Sequence, residues 1–103
     1  MKFTYDPRKN TQNLKDHGIS LDFASKAFFD PNRCEIFDEG NSSYDPNDPE
    51  SAEYQFITIG FISDVSIYVP YTITGPDSYH LISAREATRY EVKTYYQGKH
   101  SYV

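Results

Sequence analysis

The side chains best suited to proton transfer and anion binding are two histidines and two cationic residues. His17 precedes Gly18 at the predicted end of a helix, and His80 lies within a predicted strand, where an imidazole can act as acid or base. Arg85 follows that strand, where a sheet edge can aim its guanidinium at a phosphate. Lys9, on the first turn of the helix, is a candidate phosphate ligand. These residue types favour proton transfer close to a phosphate group.

Each of these residues also has a purely structural interpretation. Arg85 can form an ion pair with Glu86 or Glu91, and His17 can serve only as a C-terminal cap of its helix. A lysine on an exposed first turn is usually just solvated. Asn13, within the first predicted helix, is interpreted as a structural hydrogen-bonding residue that ties this helix to a neighbouring strand.

The composition predicts a single globular domain, 1–103, with a strongly acidic middle. The 103 residues carry a formal net charge of −5, and 38% of them are hydrophobic. From Asp30 to Asp77 there are ten acids and one base, whereas residues 1–29 hold five bases against three acids and residues 78–103 four against two. Any basic face must therefore be small and formed by the two ends of the chain.

Cysteine usage and hydropathy exclude several protein classes. The single cysteine, Cys34, permits neither an internal disulfide nor a cysteine-rich zinc site, and it is predicted to be a buried apolar side chain. No apolar run approaches the ~20 residues of a membrane span. The first ten residues lack the apolar stretch of a signal peptide, so we expect a cytoplasmic protein without membrane contact.

Local patterns predict the order of the structural elements. They are a strand at 2–6, helices at 7–17 and 21–29, a strand at 33–38, an exposed loop at 39–52, paired strands at 54–62 and 65–73, a strand at 79–84, a helix at 85–96 and a polar, flexible tail at 97–103. Asp6 and Ser20 are preferred N-caps, and Gly18 is a left-handed C-cap. Pro70 lacks an N–H donor, which predicts a bulge or a sheet edge there. Leu14 is expected to face the core.

This order predicts an α+β fold. It has two N-terminal helices, an antiparallel meander sheet of three to five strands, and a C-terminal helix.

Two motifs near the ends of the chain carry a family resemblance. The first reads Asp6-Pro7-x-Lys9-x-x-x-Asn13-x-x-x-His17-Gly18-Ile19-Ser20. The second reads Ile82-Ser83-Ala84-Arg85-x-Ala87-x-x-x-Glu91 and is followed by Tyr95. With both motifs in this order, residues 3–96 resemble the BrnT family of toxins.

The resemblance implies a RelE-like ribonuclease fold and the toxin half of a type II toxin–antitoxin pair. The implied partner is a small ribbon-helix-helix antitoxin, which occludes the toxin and binds the promoter of the operon, so that promoter DNA is reached only through the antitoxin. The implied substrate is RNA, cut without a metal ion or another cofactor. A homodimer and a hetero-tetramer with the antitoxin are both left open.

Metal-free RNA cleavage needs a base for the 2′-hydroxyl, positive charge at the phosphorane and an acid for the leaving 5′-oxygen. On this basis the predicted catalytic residues are Arg85, His17 and His80, and the predicted substrate-binding residues are Lys9, Arg89 and Gln55. No metal site is predicted.

Three positions depart from the family pattern. Asp16 stands where a basic residue is frequent, and Gln55 and Thr74 stand where arginines are common. Each lost phosphate contact weakens RNA binding by about 1–3 kcal/mol. The alternative interpretation is therefore a catalytically weakened relative that acts as a protein-binding or regulatory module.

Overall fold

The computed structural model describes residues 1–98. Its helices are α1 (Pro7–His17), α2 (Leu21–Ala24) and α3 (Arg89–Tyr96), with 3-10 turns at Ser25–Phe29 and Glu39–Asn41. Its strands are β1 (Lys2–Thr4), β2 (Cys34–Phe37), β3 (Ser43–Asp45), β4 (Asp48–Glu53), β5 (Phe56–Ile62), β6 (Val65–Gly75), β7 (Ser78–Leu81) and β8 (Arg85–Glu86). Of the predicted tail, residues 99–103 lie outside the described part of the chain.

Six strands form one sheet in the order β1-β7-β6-β5-β2, and β8 pairs with β6 where β7 has ended. β5, β6 and β7 form the predicted antiparallel meander. β1 pairs with β7 in parallel, and β3 and β4 form a separate antiparallel hairpin. The predicted α+β class, with helices before and after a mostly antiparallel sheet, is confirmed.

The helix α1 begins and ends where its capping residues predict. The Asp6 carboxylate accepts a hydrogen bond from the Arg8 amide at 2.9 Å, and Pro7 occupies the first helical position. Gly18 adopts φ 70° and donates its N–H to the Leu14 carbonyl oxygen at 2.9 Å. Leu14 itself is 53% exposed, so the prediction that it faces the core is wrong.

The second helix is shorter than predicted. Ser20 caps it through a bond from the Phe23 amide, but α2 ends at Ala24 and the chain continues as a 3-10 turn to Phe29. This turn packs directly on the sheet, because a Cβ at Gly60 would lie 2.5 Å from the carbonyl oxygen of Ala27. Glycine at this strand position permits the close approach.

The core lies mainly between α2 and the sheet. Its buried members are Leu21, Ala24, Ala27, Phe28, Ile67, Val69, Tyr71, Leu81 and Ala84. On the other face of the sheet a smaller cluster contains Cys34, Ile57 and Ile59, with Tyr68 and Tyr95 packed against it. Cys34 is fully buried, as predicted. Because Tyr95 belongs to α3, this helix covers only the part of the second face that carries the smaller cluster.

Pro70 does not lie at an edge, because β6 has β5 on one side and β7 and β8 on the other. Its carbonyl oxygen accepts a hydrogen bond from the Ile82 amide, at the point where the chain leaves β7 and before it reaches β8. This side of Pro70 therefore faces the gap between β7 and β8, where no strand pair needs an N–H from residue 70. The register shift of β6 lies further along, between Ile73 and Gly75.

Two other boundaries differ from the predicted ones. Residues 39–52 are exposed, as predicted, but they contain a 3-10 turn and most of the β3–β4 hairpin. The C-terminal helix begins at Arg89, because Thr88 caps it and Glu91 completes a capping box. Arg85, predicted to begin this helix, lies instead on a strand.

Candidate active site

The second face of the sheet is open beyond the area that α3 covers. Thr4, His80 and Thr72 are direct neighbours across β1, β7 and β6, and none of the three is buried. Four residues back along β6, on the same face, Tyr68 pairs with Arg85 of β8. We call the surface formed by these five residues the open face.

The imidazole of His80 makes one side-chain hydrogen bond within residues 1–98, and this bond holds it on the open face. Its Nδ1 lies 2.9 Å from the Thr4 hydroxyl oxygen, and Nε2 has no hydrogen-bond partner among residues 1–98. If Thr4 donates to Nδ1, the neutral ring carries its proton on Nε2. If Nδ1 donates, Nε2 of the neutral ring is free to accept a proton, and the imidazolium that results can give that proton up as an acid. The second arrangement therefore suits both roles.

Arg85 is fixed on three sides. Its Nη1 and Nη2 donate to Oε1 and Oε2 of Glu91, each at 2.8 Å, and Nη1 also donates to the Glu86 carbonyl oxygen at 3.2 Å. Its guanidinium carbon lies 3.9 Å from the centroid of the Tyr68 ring. The ion-pair interpretation of Arg85 is thus confirmed with Glu91 as the partner, and the guanidinium remains on the open face.

Glu91 holds this arrangement together. Besides the Arg85 fork, its Oε1 accepts the Thr88 amide at 2.8 Å. Burial opposes its ionisation, but the hydrogen bonds from Arg85 and Thr88 outweigh burial and leave the pKa of Glu91 below its ordinary value. The hydrogen bonds to Glu91 in turn raise the pKa of Arg85. The pair is therefore ionised at neutral pH.

The strand register sets the separation of the two groups. His80 and Arg85 pair with residues four apart on β6, so their backbones are ~13 Å apart along the open face. An extended RNA backbone that crosses this face would meet both side chains.

Gln55 is engaged with an acid rather than free for phosphate. Its side-chain amide donates to the Asp38 carboxylate at 3.3 Å, and its main-chain amide donates to the Ser42 hydroxyl oxygen at 2.9 Å. A carboxylate at this distance repels an approaching phosphate.

Lys9 and His17 lie together in a different place. With Asn13 they recur every four residues on one side of α1, and they line a cleft of about 250 Å³ with Ile82 and Ser83. Gln12 and Asp16 line the same cleft and are hydrogen-bonded to each other at 2.8 Å.

Asn13 joins this cleft to the sheet. Its side chain donates to the Ala84 carbonyl oxygen at 2.8 Å and accepts from the Ala84 amide at 3.0 Å. It also donates to the Ile19 carbonyl oxygen at 2.8 Å. Its predicted structural role is confirmed, and Ala84 directly precedes Arg85.

The six predicted site residues therefore fall into separate places. His80 and Arg85 share the open face, and Lys9 and His17 share the α1 cleft. Gln55 is paired with Asp38, and the exposed side chain of Arg89 makes no hydrogen bond or ion pair with any residue of 1–98.

Thr4 and Glu91 were not predicted as site residues. The spacing Thr88-x-x-Glu91 is a readable capping-box signal and could have placed Glu91. Thr4 had no such signal, because it meets His80 through a strand pair 76 residues apart in sequence.

Within residues 1–98 no three side chains of the His, Cys, Asp or Glu types cluster closely enough to hold a metal ion. No helix in the same part of the chain is long and apolar enough to cross a membrane.

Comparison with known proteins identifies the family. The model of the family described as "Ribonuclease toxin, BrnT, of type II toxin-antitoxin system" matches residues 5–91. The crystal structure of the ribonuclease toxin BrnT of Brucella abortus shares the fold, with a TM-score of 0.55 and 21% identity over 86% of this chain and 99% of that one. No curated protein matches the sequence significantly. The chain belongs to the BrnT family of ribonuclease toxins of type II toxin–antitoxin systems.

Proposed function

We propose that this chain cleaves RNA on the open face of its sheet, with His80 as the group that transfers protons. The observation that carries this proposal is the position of His80, which is fixed at Nδ1 by Thr4 while Nε2 has no partner among residues 1–98. A fixed imidazole with one unengaged nitrogen is suited to general acid–base catalysis.

The reaction requires no group beyond these side chains and the RNA. Nε2 of His80 takes the proton of a ribose 2′-hydroxyl, and the 2′-oxygen attacks the adjacent phosphorus. The bond from phosphorus to the 5′-oxygen breaks, that oxygen takes up the proton that the His80 imidazolium releases through solvent, and a 2′,3′-cyclic phosphate remains. Arg85 leaves Glu91 in the transition state and stabilises the negative charge of the phosphorane. Because imidazole moves the proton and guanidinium supplies the charge, the mechanism is metal-independent.

Lys9 and His17 contribute from the α1 cleft. Both can bind the RNA backbone away from the scissile bond, and the Asn13–Ala84 hydrogen bonds fix this cleft relative to Arg85. The exposed guanidinium of Arg89 can make a further phosphate contact at the start of α3.

A type II toxin has a cognate antitoxin. The antitoxin proposed here is a ribbon-helix-helix protein that occludes the toxin and links it to promoter DNA. The toxin acts in the cytoplasm, where its RNA substrate is.

A second candidate function is a protein-binding module with weakened catalysis. Two observations favour it, because Arg85 is held by Glu91 and Gln55 is held by Asp38. Two predicted phosphate ligands are thus each bound to a carboxylate.

Expression of the chain alone in a bacterial host, followed by an RNA cleavage assay in EDTA, distinguishes the two functions. The enzyme arrests growth and cuts RNA in EDTA. His80→Ala should lower the cleavage rate by at least ~100-fold, whereas Asp64→Asn, at an exposed position in the turn between β5 and β6, should leave the rate nearly unchanged. A folded wild-type chain that cuts no RNA supports the binding module, and a fully active His80→Ala variant removes His80 from the mechanism.

A further inference from the structure

The β3–β4 hairpin meets the ends of β5 and β6 in a cleft that shares only Thr72 with the open face. Its volume is about 530 Å³, and its lining consists of Ala52, Glu53, Tyr54, Phe56, Thr72 and Ile73. We call it the hairpin cleft.

The hairpin cleft presents apolar side chains on a fixed base. Tyr54 is 46% exposed and Ile73 is 54% exposed. Beneath them Phe56 packs against Phe37 and Tyr71, with ring centroids 5.6 and 5.9 Å apart, and Phe37 also contacts Tyr54 at 6.2 Å. Exposed apolar residues on a rigid aromatic base are typical of protein-binding surfaces.

The segment that forms one side of the hairpin cleft is strongly acidic. Residues 38–54 carry no lysine or arginine and six acids, which are Asp38, Glu39, Asp45, Asp48, Glu50 and Glu53. None of the six forms a salt bridge within residues 1–98. This uncompensated charge repels nucleic acid and attracts a cationic partner.

We propose that the hairpin cleft binds a cationic, amphipathic segment of the cognate antitoxin. An apolar side chain of that segment enters between Tyr54 and Ile73, and its lysines or arginines face the acids of the hairpin. The proposal rests on the antitoxin partner of the proposed function. RNA is a poor occupant because of its phosphates. A second copy of this chain is also a poor occupant, because it would bring the same six acids to the contact.

The test uses the full chain and the purified antitoxin encoded beside its gene, with Kd measured by calorimetry at low and high salt. Ile73→Thr keeps a β-branched residue on the strand and removes apolar surface, and Glu53→Lys reverses one charge at the cleft. Each should weaken binding by about tenfold, and the effect of Glu53→Lys should shrink as salt rises. The matched control is Asp64→Lys, an exposed acid in the turn at the opposite end of β5 and β6, which should change Kd by less than about twofold.

The outcomes separate the alternatives, provided that each variant keeps its melting temperature. If both cleft variants bind the antitoxin as tightly as the control does, the cleft is not the docking site, although RNA cleavage by the chain alone still supports the proposed function. If the wild-type chain does not bind the antitoxin, the docking proposal fails, and the cleavage assay decides the catalytic one. If Ile73→Thr changes only the sedimentation of the chain alone, a second copy occupies the cleft. If it changes only the affinity of the chain for RNA, RNA occupies the cleft. Either result overturns the proposal.

Discussion

Replacing Glu91 by glutamine should free Arg85 for RNA at a modest cost in stability. The variant removes one charge from the pair and keeps an oxygen that can accept the Thr88 amide. Side-chain exposure is 35% for Arg85 and 17% for Glu91, so solvent screens the pair in part. We therefore expect a loss of about 1 kcal/mol in the free energy of unfolding. For a domain of this size the loss corresponds to a fall in melting temperature of about 4–8 °C.

The same substitution should strengthen RNA binding. A guanidinium released from Glu91 gains one phosphate contact, worth about 1.4 kcal/mol or tenfold in affinity at low salt. One further neutralised phosphate should also steepen the plot of log K against log salt concentration by about 0.7. Fluorescence anisotropy with single-stranded RNA measures both quantities, in a His80→Ala background that leaves the RNA intact.

Glu86→Gln is the matched control, because it removes the same charge from the adjacent strand β8. Only the main-chain oxygen of Glu86 contacts Arg85. If Glu91→Gln binds RNA no better than Glu86→Gln, with the same salt dependence, the reasoning that Glu91 competes with phosphate for Arg85 is refuted.

Two further predictions concern the scaffold. Burial opposes ionisation of Asp30, but bonds from the Phe61 amide at 2.9 Å and the Tyr95 hydroxyl at 2.7 Å outweigh it and lower its pKa. Asp30 therefore stabilises the fold at pH values above its unfolded pKa of about 3.9. In chemical denaturation, the difference in free energy of unfolding between wild type and Asp30→Asn should shrink as pH falls below about 4. A difference that does not change with pH would contradict this. Gly60→Ala should lower the free energy of unfolding by at least about 2 kcal/mol, because its Cβ would overlap the Ala27 carbonyl; calorimetry giving an unchanged melting temperature would show that the turn can shift.

The sequence was informative where a structural signal is local. Asp6, Gly18 and Ser20 are capping residues whose preferences arise within one helical turn, and they placed both helix starts and the end of α1. The contact of Asn13 with the sheet was also anticipated. The capping signal at Thr88 is equally local, and it sets the start of α3 at Arg89, four residues after the predicted start at Arg85.

Non-local contacts were beyond the reach of these patterns. The Thr4–His80 bond depends on a parallel pair between strands at opposite ends of the chain. The sequence offers both Glu86 and Glu91 as ion-pair partners of Arg85. Glu91 is the partner because the chain bends between β8 and α3. The hairpin at residues 43–53 has exposed strands, so no alternation of apolar residues distinguished it from a loop.

The pairing of β1 with β7 has a consequence for when the toxin becomes active. β1 precedes every other described element, yet its only strand partner in residues 1–98 is β7, which begins at Ser78. A contact that spans most of the chain forms late in folding, because the intervening segment must first be ordered. The hydrogen bond that orients His80 therefore forms only after β7 has been made, and a chain that lacks Thr4 carries the histidine without the partner that fixes its Nδ1.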